Sequence, residues 1–468
     1  YAYGVIAVLT PEQMKLADAA ALSSTGTHNE SVFIERAGYA VAQVARKMLG
    51  GSYGKQVLVI VGKGHNGDDG RVAAQWLQQW GATTTLMNAD DAGGQFIDSR
   101  CADLVIDAAY GIGFHGSWTP PFVFDVPVLA VDIPSGVNAL DGSVNSSVLV
   151  ANRTVTFGAP KTGMLLGDGP SFCGEIDIVD VGIDPLDDDT AFLVEPTDVV
   201  AWLPPRDRLS HKWNHAVRVI AGSAGMGGAA SLVSMAAMRA GAGMVHLSWR
   251  AGDASFNVPT EVVGKVLPTD NWAAFISQDV HRFQSLVIGP GLGRGDDVGV
   301  QVRSVLACNI PMVIDGDGLS AAVDPAGKLD TLSARTAPTV LTPHDGEFAV
   351  LGGDAENLDR IGSTKALAER TGCTIVRKGP TTIISSPDGR VYLVASGDER
   401  LATAGTGDVL AGIIGAFLAR GLAAPEAAAA GAFIHGMAGS SLPAEGAIAR
   451  DVVALISDVL SEVMSDVC

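Results

Sequence analysis

Residues 56–70 read Gln-Val-Leu-Val-Ile-Val-Gly-Lys-Gly-His-Asn-Gly-Asp-Asp-Gly, a short apolar run followed by a loop rich in glycine. A continuous apolar run bounded by glycines is typical of a strand that is buried on both faces of a parallel sheet. The residues after the loop predict a helix that continues to Trp80. Strand, glycine loop and helix in this order form the repeating unit of an α/β fold.

The rest of the first half repeats this unit. A helical pattern precedes it, and further strand candidates follow it at residues 83–87, 103–107, 126–132 and 154–157. We therefore predict a Rossmann-like, doubly wound parallel sheet with helices on both faces, in a domain of residues 1–190. Ligands of such sheets bind at the carboxyl ends of the strands.

The α/β pattern starts again in the second half, after a polar stretch with prolines near residues 185–207. A strand at residues 217–221 leads through a glycine-rich turn into a helix at residues 229–240. Further strands are predicted at residues 285–288, 311–315, 339–341, 374–378 and 381–385. The chain is therefore predicted to be an α/β protein of two domains, the second spanning residues 205–468.

The composition limits the partners that the protein can have. It contains 51 Asp and Glu against 31 Lys and Arg, a net charge of −20. Binding to nucleic acid or to an anionic membrane needs surplus basic residues, so we expect neither. Anionic ligands are not excluded, because helix N-termini bind phosphate through main-chain N–H groups. The five cysteines are scattered and have no metal-binding spacing, which is typical of reduced thiols. The sequence also shows no signal-peptide pattern and no apolar run long enough to span a membrane. Together these features predict a cytoplasmic protein.

Polar side chains follow several predicted strands of the first half. Asn66 lies in the loop after the first strand, and Asp107 and Asp132 each end another. Taken singly, each is more typical of a helix cap or a turn than of a functional site. Because the carboxyl ends of parallel strands meet at one edge of the sheet, the three together predict a shared crevice.

A second candidate site lies at residues 402–410, which read Ala-Thr-Ala-Gly-Thr-Gly-Asp-Val-Leu and open an apolar helix. The free N–H groups at the start of such a helix form an anion hole, where the helix dipole favours negative charge. Two roles are open for Asp408. It either caps the helix or acts as a base beside a phosphoryl group in transfer.

Motifs of the first half occur in a fixed order: Gly62-Lys-Gly-His-Asn-Gly-Asp-Asp-Gly70, Asp107-Ala-Ala-Tyr-Gly-Ile-Gly113, Val131-Asp-Ile-Pro-Ser-Gly-Val137 and Thr156-Phe-Gly-Ala-Pro-Lys161. Together they resemble the NAD(P)HX epimerase family, also called the YjeF N-terminal domain. His65 stands where this family has Asn, and Asp68 stands where it has Gly. An added carboxylate near a pyrophosphate is unhelpful, so either Asp68 points away or this half is weakened.

The resemblance implies a site in the first half. Asp132 would be the acid–base residue, and Asn66, Asp107 and Ser135 would surround a potassium ion. The implied substrate-binding residues are His65, Asn66, Gly67, Asp68, Asp69, Gly111, Ile112, Gly113, Phe114, His115, Gly116, Ser117 and Asp132.

The second half also carries ordered motifs: Gly222-Ser-Ala-Gly-Met-Gly-Gly-Ala-Ala230, Arg239-Ala-Gly-Ala-Gly243, Ile288-Gly-Pro-Gly-Leu-Gly293, Ile314-Asp-Gly-Asp-Gly-Leu319, Thr342-Pro-His-Asp-Gly-Glu347, Lys378-Gly-Pro-Thr-Thr382 and the Asp408 loop. The Gly-x-Gly-Asp arrangement resembles the ribokinase-like superfamily, whose aspartate deprotonates the attacking hydroxyl. Within it, the motifs resemble the ADP/ATP-dependent NAD(P)HX dehydratases, the YjeF C-terminal domain.

This second resemblance implies a ribokinase-like α/β/α domain with Asp408 as catalytic base. The implied contacts with the hydrated nicotinamide nucleotide are Ala229, Gly291, Gly293, His344 and Asp408. The implied contacts with ADP or ATP are Lys378, Gly379, Pro380, Thr381, Thr382, Gly405, Thr406 and Gly407. Mg²⁺ would accompany the nucleotide, with Asp315 and Asp317 either a metal pair or turn residues. The remaining histidines considered, His211, His246 and His435, are expected to be structural.

A chain with both halves resembles the bacterial bifunctional NAD(P)H-hydrate repair enzymes. The implied substrates are NADHX and NADPHX, with ADP or ATP as phosphoryl donor, and a homo-oligomer is expected. Two alternatives stay open at this point. The second half could be an ordinary small-molecule kinase with the same Gly-x-Gly-Asp site, and the first half could be a nucleotide-binding module without catalysis.

Overall fold

A computed structural model describes residues 6–24, 30–114, 116–145, 147–184, 190–250 and 258–465. The chain divides into two compact units, Ala7–Thr190 and Ala191–Cys468, and the second also includes the first residues of the chain. Residues 191–204, which lie between the predicted domain bounds, belong to the second unit. Both units are α/β, which confirms the predicted fold class. No helix in the described part of the chain is both long and apolar enough to cross a membrane.

The first unit is built on a parallel sheet. Strand β1 (Ile6–Val8) lies at the boundary between the units and belongs to the larger sheet described below. The elements of the first unit in chain order are α1 (Pro11–Ser24), α2 (Glu30–Met48), β2 (Gln56–Val61), α3 (His65–Gln79), β3 (Thr83–Asn88), β4 (Phe96–Ile97), β5 (Leu104–Ala108), β6 (Phe122–Val123), β7 (Val128–Val131), β8 (Arg153–Phe157), α4 (Thr162–Leu165), α5 (Pro170–Cys173) and β9 (Glu175–Val179). The sheet order is β3-β2-β5-β7-β8-β9, with parallel pairing throughout, and β4 pairs with β6 separately.

The two faces of this sheet are covered differently. On one face, α2 and α3 pack their apolar residues against alternate residues of β2 and β5. On the other face, the core is completed by residues of short elements and loops such as Ala92, Trp118 and Leu149. In the described residues between β3 and β7 there is no long helix, so short elements and loops take the place of the long helices expected on this face.

The second unit contains a larger mixed sheet with helices on both faces. Its elements are β10 (Ala191–Leu193), α6 (Pro196–Trp202), β11 (Ala216–Ile220), α7 (Gly227–Arg239), β12 (Met244–Arg250), β13 (Val263–Leu267), α8 (Trp272–Asp279), β14 (Ser285–Ile288), α9 (Asp296–Leu306), β15 (Met312–Ile314), α10 (Asp317–Ala322), α11 (Asp330–Ser333), β16 (Thr339–Leu341), α12 (Asp345–Val350), α13 (Arg360–Thr371), β17 (Thr374–Arg377), β18 (Thr382–Ser385), β19 (Val391–Val394), α14 (Thr406–Ala419), α15 (Ala424–Ser440) and α16 (Ala449–Ser465).

The strands of this sheet run in the order β1-β10-β19-β18-β17-β16-β15-β14-β11-β12-β13. Only β18 is antiparallel to its neighbours among the pairs that the structure describes. Successive residues of one strand enter opposite cores: Val287 packs with α7 and α14–α16, whereas Leu286 and Ile288 pack with α8–α13. The parallel strands β11 and β14–β17 end at one edge, where the glycine-rich loops lie.

Helix α14 is held close to α7 by glycine. Nearly all of its residues are buried, and a Cβ placed on Gly412 would lie 2.8 Å from Cβ of Ala236 and closer still to the main-chain oxygen of Val233. Real Cβ atoms do not approach so closely, so the spacing of the two helices depends on this glycine. Because α14 begins with the Asp408 loop, the same contact fixes where that loop lies.

We predict that Gly412→Ala lowers the free energy of unfolding of the second unit by about 1–3 kcal/mol, because an added methyl overpacks this interface. The matched control is Gly228→Ala, where a Cβ would meet no atom within 4 Å. This helical position should leave stability unchanged or raise it by up to about 1 kcal/mol. Urea denaturation of both variants tests this, and equal effects would contradict the close-packing argument.

Candidate active sites

A cavity of about 880 Å³ opens at the carboxyl edge of the first sheet. Its walls come from α1, α2, the start of α3 and the segments after β5, β7, β8 and β9, and its volume suits a small-molecule ligand. Of the predicted substrate-binding residues, those lining it are His65, Asn66, Asp69, Gly111, Ile112, Gly113, Phe114 and Asp132. Those that are not part of its lining are Gly67, Asp68, Gly116 and Ser117. His115 lies outside the described residues.

Asp132 is paired with a buried lysine. It follows β7 with φ at 67°, in the left-handed region that residues with a side chain rarely adopt. Lys161 Nζ forms an ion pair with Asp132 Oδ1 and donates a hydrogen bond to Thr156 Oγ1 at 2.8 Å. The Lys161 side chain is only 1% exposed, and the carboxylate of Asp132 neutralises its buried positive charge. Lys161 ends the motif that begins at Thr156, but the sequence analysis did not place it in the site.

The predicted potassium ligands lie at the carboxyl ends of the neighbouring strands β2, β5 and β7: Asn66 in the first turn of α3, Asp107 near the end of β5 and Ser135 in the loop after β7. Asp107 is fully buried; its Oδ1 accepts a hydrogen bond from Ser135 Oγ at 2.7 Å, and its Oδ2 accepts one from the Ser135 N–H at 2.9 Å. Burial raises the pKa of Asp107. The side-chain oxygen and nitrogen of Asn66 are buried without a hydrogen-bond partner among the described residues. A buried carboxylate with only neutral donors and an unpartnered amide oxygen suit a cation with hard oxygen ligands.

The adjacent carboxylates Asp68 and Asp69 point in different directions. Asp68 is half exposed and accepts a hydrogen bond from Arg71 Nη1 at 2.9 Å, away from the cavity. Asp69 lies inside, where burial, the negative charge of Asp132 and that of Asp68 raise its pKa to about 8. Asp68 therefore points away from the cavity, which was one of the two possibilities that the sequence left open.

In the second unit, glycines let neighbouring loops approach each other at the sheet edge. Gly291 follows β14 with φ at 56°, and a Cβ there would lie 2.9 Å from Cβ of Met226 and 3.0 Å from Cβ of Ala229. The loops after β11 and β14 thus meet, which brings Ala229 and Gly291 together. A Cβ on Gly293 would lie 3.4 Å from Ser223 Oγ, so the third predicted residue lies at the same junction.

Asp408 lies in the first turn of α14, beside a lysine and further carboxylates. The helix begins after Gly405, whose φ of 92° only glycine adopts readily, and Thr406 Oγ1 donates to the Leu401 carbonyl at 2.8 Å. Burial and the charge of Asp315 raise the pKa of Asp408 to about 7, although Lys378 acts against this. A carboxyl group with a pKa near neutrality is suited to accept a proton at physiological pH.

Lys378 reaches the same point from the end of β17. A Cβ on Gly407 would lie 3.4 Å from Lys378 Nζ, so the lysine borders the start of α14. Its Nζ also contacts Asp315 Oδ1 at 3.1 Å. The turn between β17 and β18 continues with Gly379, Pro380 and Thr381, and Thr382 begins β18; Gly379 and Pro380 are exposed. A lysine ammonium and free helix N–H groups at one point form an anion site.

Asp315 and Asp317 are not arranged as a preformed metal pair. Asp315 Oδ1 accepts hydrogen bonds from Lys378 Nζ and from Thr342 Oγ1, the latter at 2.6 Å. Asp317 accepts from the Gly293 N–H at 3.0 Å and from Arg294 Nε at 2.9 Å. The described residues contain no cluster of three or more His, Cys, Asp or Glu side chains suited to hold a metal. These aspartates therefore fit direct Mg²⁺ ligation poorly.

Two histidines differ in their relation to this site. His344 caps α12, because its Nδ1 accepts hydrogen bonds from the N–H groups of Gly346 and Glu347 at 3.0 and 3.3 Å, and its side chain is 61% exposed. His435, on α15, is buried close to the Thr406 main chain, and burial lowers its pKa to about 4. The sequence left His435 outside the site because α15 carries no motif.

The fold and these sites define the class. The chain is a two-domain α/β enzyme, with a cavity at the carboxyl edge of the sheet in one unit and, in the other, a half-buried lysine and an aspartate of raised pKa at the start of a helix. Residues 217–461 match the family described as NAD(P)H-hydrate dehydratase, and residues 30–95 and 91–163 match that described as YjeF-related protein N-terminus. The chain belongs to the family of bifunctional NAD(P)H-hydrate repair enzymes.

Similar proteins support the assignment over the full chain. The bifunctional NAD(P)H-hydrate repair enzyme Nnr of Mycobacterium leprae is 38% identical over 437 residues, which cover 87% of this chain and 89% of the relative. The enzyme of the same name from Salinibacter ruber is 31% identical over 97% of this chain and 96% of its own length. The expectation of a bifunctional repair enzyme is thereby confirmed in preference to the small-molecule kinase.

A solved structure resembles the second unit. The ADP/ATP-dependent NAD(P)H-hydrate dehydratase from Bacillus subtilis, co-crystallised with ATP/Mg²⁺, matches with a TM-score of 0.50 and 28% identity. The match covers 57% of this chain and 97% of that one. A ribokinase-like superfamily protein from Enterococcus faecalis matches with a TM-score of 0.51 at 23% identity, which supports the ribokinase-like fold.

We predict that Asp408→Asn raises the melting temperature of the unliganded protein at pH 8. The pKa of Asp408 is about 7 when folded against 3.8 as a model value, so the folded state binds this proton more tightly. The contribution of this proton to the free energy of unfolding is therefore lost as the pH rises from about 4 to 7. Above pH 7 the buried carboxylate is ionised and destabilises the folded state. The gain should be on the order of 5 °C at pH 8 and vanish near pH 4.

Asp388→Asn is the control of opposite sign, because a hydrogen bond from Arg390 lowers the pKa of Asp388 to about 2. That variant should show no gain at either pH. Differential scanning fluorimetry across the pH range measures both. A constant offset between Asp408→Asn and the parent at all pH values would rule out titration of Asp408 as the cause.

Proposed function

We propose that the two units act in succession on the hydrated nicotinamide nucleotides NADHX and NADPHX. The first unit interconverts their R and S epimers, and the second dehydrates the S epimer to NAD(P)H with ADP or ATP as phosphoryl donor. The observation that carries this proposal is the position of Asp408. Its carboxyl group has a pKa of about 7 and lies in the first turn of α14, which the ammonium group of Lys378 borders.

The dehydration needs a better leaving group than hydroxide. In the hydrate, water has added across the C5–C6 double bond, and the hydroxyl is on C6. Asp408 takes the hydroxyl proton while the oxygen forms a bond to the terminal phosphorus of the nucleotide, whose bridging P–O bond breaks. The C6–O bond then breaks, inorganic phosphate leaves with the bonding electrons, and the ring nitrogen donates its lone pair. Loss of the C5 proton restores the double bond.

The residues around Asp408 bind and orient the reactants. Lys378 and the free N–H groups of Gly405, Thr406 and Gly407 stabilise the negative charge that develops on the transferred phosphoryl group. Gly379 to Thr382 extend this binding along the nucleotide. Ala229, Gly291, Gly293 and His344 lie around the same edge and hold the nicotinamide nucleotide. Mg²⁺ would enter with the nucleotide and offset phosphate charge, since Asp315 and Asp317 are already bonded to basic side chains.

In the first unit, Asp132 moves the protons of epimerisation, and Lys161 holds it in place. The carboxylate, hydroxyl and amide oxygens of Asp107, Ser135 and Asn66 would hold K⁺, which supplies positive charge to a buried carboxylate. That charge would fix the loops after β2 and β5, which form one wall of the cavity. The remaining lining residues from His65 to Phe114 bind the nucleotide.

The two activities complement each other. Hydration of NAD(P)H yields both C6 epimers, but the dehydratase accepts one, so an epimerase is needed for complete recovery. We also propose that the protein is cytoplasmic and assembles as a homo-oligomer; these inferences rest on the cysteine pattern and on the resemblance of the domains.

We predict that the parent protein restores all NADH from racemic NADHX in the presence of ADP or ATP and Mg²⁺, as followed by absorbance at 340 nm. Asp408→Asn should lower this rate at least about 100-fold, the usual contribution of a general base. The same variant should still interconvert separated epimers at the parent rate, as seen by chromatography, which shows that the first unit is folded, and its unchanged or higher melting temperature shows the same for the second. Full dehydratase activity in the variant would remove Asp408 from the mechanism.

We predict that replacing K⁺ by tetramethylammonium slows epimer interconversion at least about 10-fold and leaves dehydration of the pure S epimer unchanged. K⁺ should also raise the melting temperature of the parent protein but not that of Asn66→Ala, because the amide oxygen is one of its ligands. Sodium serves as the control ion. An epimerase rate that is independent of the cation, together with an unchanged melting temperature, would refute the site.

A further inference from the structure

Helix α1 forms one wall of the cavity in the first unit and brings a carboxylate into it. The residues of α1 that line the cavity are Met14, Lys15, Asp18, Ala19 and Leu22. Their spacing places them on one side of the helix. Asp18 is the only carboxylate on this side, and no motif had drawn attention to it.

Asp18 is not explained as a structural residue. Among the residues that the structure describes, it makes no hydrogen bond and no ion pair. The start of α1 is anchored elsewhere, by reciprocal hydrogen bonds between Thr10 and Gln13 and by Met14, which packs against Leu9 and Ala159. A partly buried carboxylate without a partner costs stability, so its presence at this wall points to a role with a ligand.

Asp18 and Asp132 belong to different walls of the cavity, α1 and the segment after β7. Burial raises the pKa of Asp18, and the charged groups that act on it are Lys161, which lowers the pKa, Asp132, which raises it, and His65, which lowers it. Asp132 and Lys161 follow strands β7 and β8, so they stand on the sheet side of the cavity. Asp18 stands on the helix side. A flat dihydropyridine ring between them would turn one face to each.

Epimerisation at C6 needs chemistry on both faces of the ring. When the C6–O bond breaks, the ring nitrogen donates its lone pair, and C6 becomes part of a planar iminium. Water must then form a bond to C6 from the other face. A single acid–base group serves one face only, and it would return the starting epimer.

We propose that Asp18 is the second acid–base residue of the epimerase and serves the face of the ring opposite Asp132. This inference rests on the epimerase activity proposed above. In one direction, protonated Asp18 gives its proton to the departing hydroxyl, which leaves as water. Asp132 accepts a proton from the water that adds to C6 on the sheet side. The reverse direction exchanges the two roles, and no oxidant, reductant or further reactant is consumed.

The test uses Asp18→Asn in the full-length protein, which keeps the side-chain volume. Each separated epimer of NADHX is incubated in ¹⁸O-labelled water, and both epimers are then analysed by chromatography and mass spectrometry. In the parent protein, the newly formed epimer should carry one solvent oxygen. In Asp18→Asn, inversion should fall at least about 100-fold, whereas the epimer whose hydroxyl faces Asp132 should still exchange its oxygen with solvent.

Glu12→Gln is the matched control, because Glu12 is an exposed carboxylate of the same helix that does not line the cavity. It should leave inversion and exchange unchanged. As a second variant, Asp18→Ala should be inactive in inversion and regain it when formate is added, since formate can replace the missing carboxylic acid. Rescue of this kind cannot arise from a misfolded chain.

Three results would overturn the inference. These are inversion by Asp18→Asn within threefold of the parent, a parallel loss of inversion and exchange, and an Asp18→Ala variant that formate does not rescue. A parent protein without any epimer interconversion would instead refute the epimerase activity itself. The two failures are therefore distinguishable.

Discussion

In a parallel sheet every strand ends at the same edge, and the chain must leave that edge through loops that crowd one another. This crowding is the constraint on which both sites depend. At the edge of the second sheet, Gly291 brings the loop after β14 against Met226 and Ala229, and no side chain could be accommodated there. In the first sheet, a Cβ on Gly111 would lie within 3.5 Å of both Asp132 Oδ2 and Asn66 Oδ1. Glycine in these loops leaves room for a ligand to meet main chain and side chains together.

Each unit uses burial to give carboxyl groups different tasks. In the first unit, burial raises the pKa of Asp69 to about 8, whereas Asp132 is paired with Lys161. In the second, the pKa of Asp408 rises to about 7, whereas Asp315 is bonded to Lys378 and Thr342. Neighbouring carboxyl groups in unlike surroundings are the usual means by which one site supplies both proton donors and acceptors. The lysine in each case limits how much negative charge the site must hold.

The sequence was sufficient for the fold class and for the loops, because both depend on local order along the chain. The apolar run before Gly62 and the helix after it predict a strand, a turn and a helix wherever they lie. The sequence was insufficient for relations across the sheet. Lys161 pairs with a residue 29 positions away, and Asp18 enters the cavity from a helix outside the sheet. The direction of Asp68 depends on the rotation of α3, which composition does not determine, and His435 lies close to Thr406 only because α15 packs against α14.

The net charge of −20 raises the question of how such a protein binds an anionic dinucleotide and a nucleotide phosphate. Overall charge acts at long range and is screened within about 10 Å at ordinary salt concentrations. Contact with phosphate is decided at shorter range, where the N–H groups at the start of α3 and α14 and the ammonium groups of Lys161 and Lys378 supply positive potential. Lys161 is buried against Asp132, whereas Lys378 is partly exposed beside Asp315 and can also face a phosphate, so the second site has a positive charge at its surface and the first relies more on main-chain N–H groups.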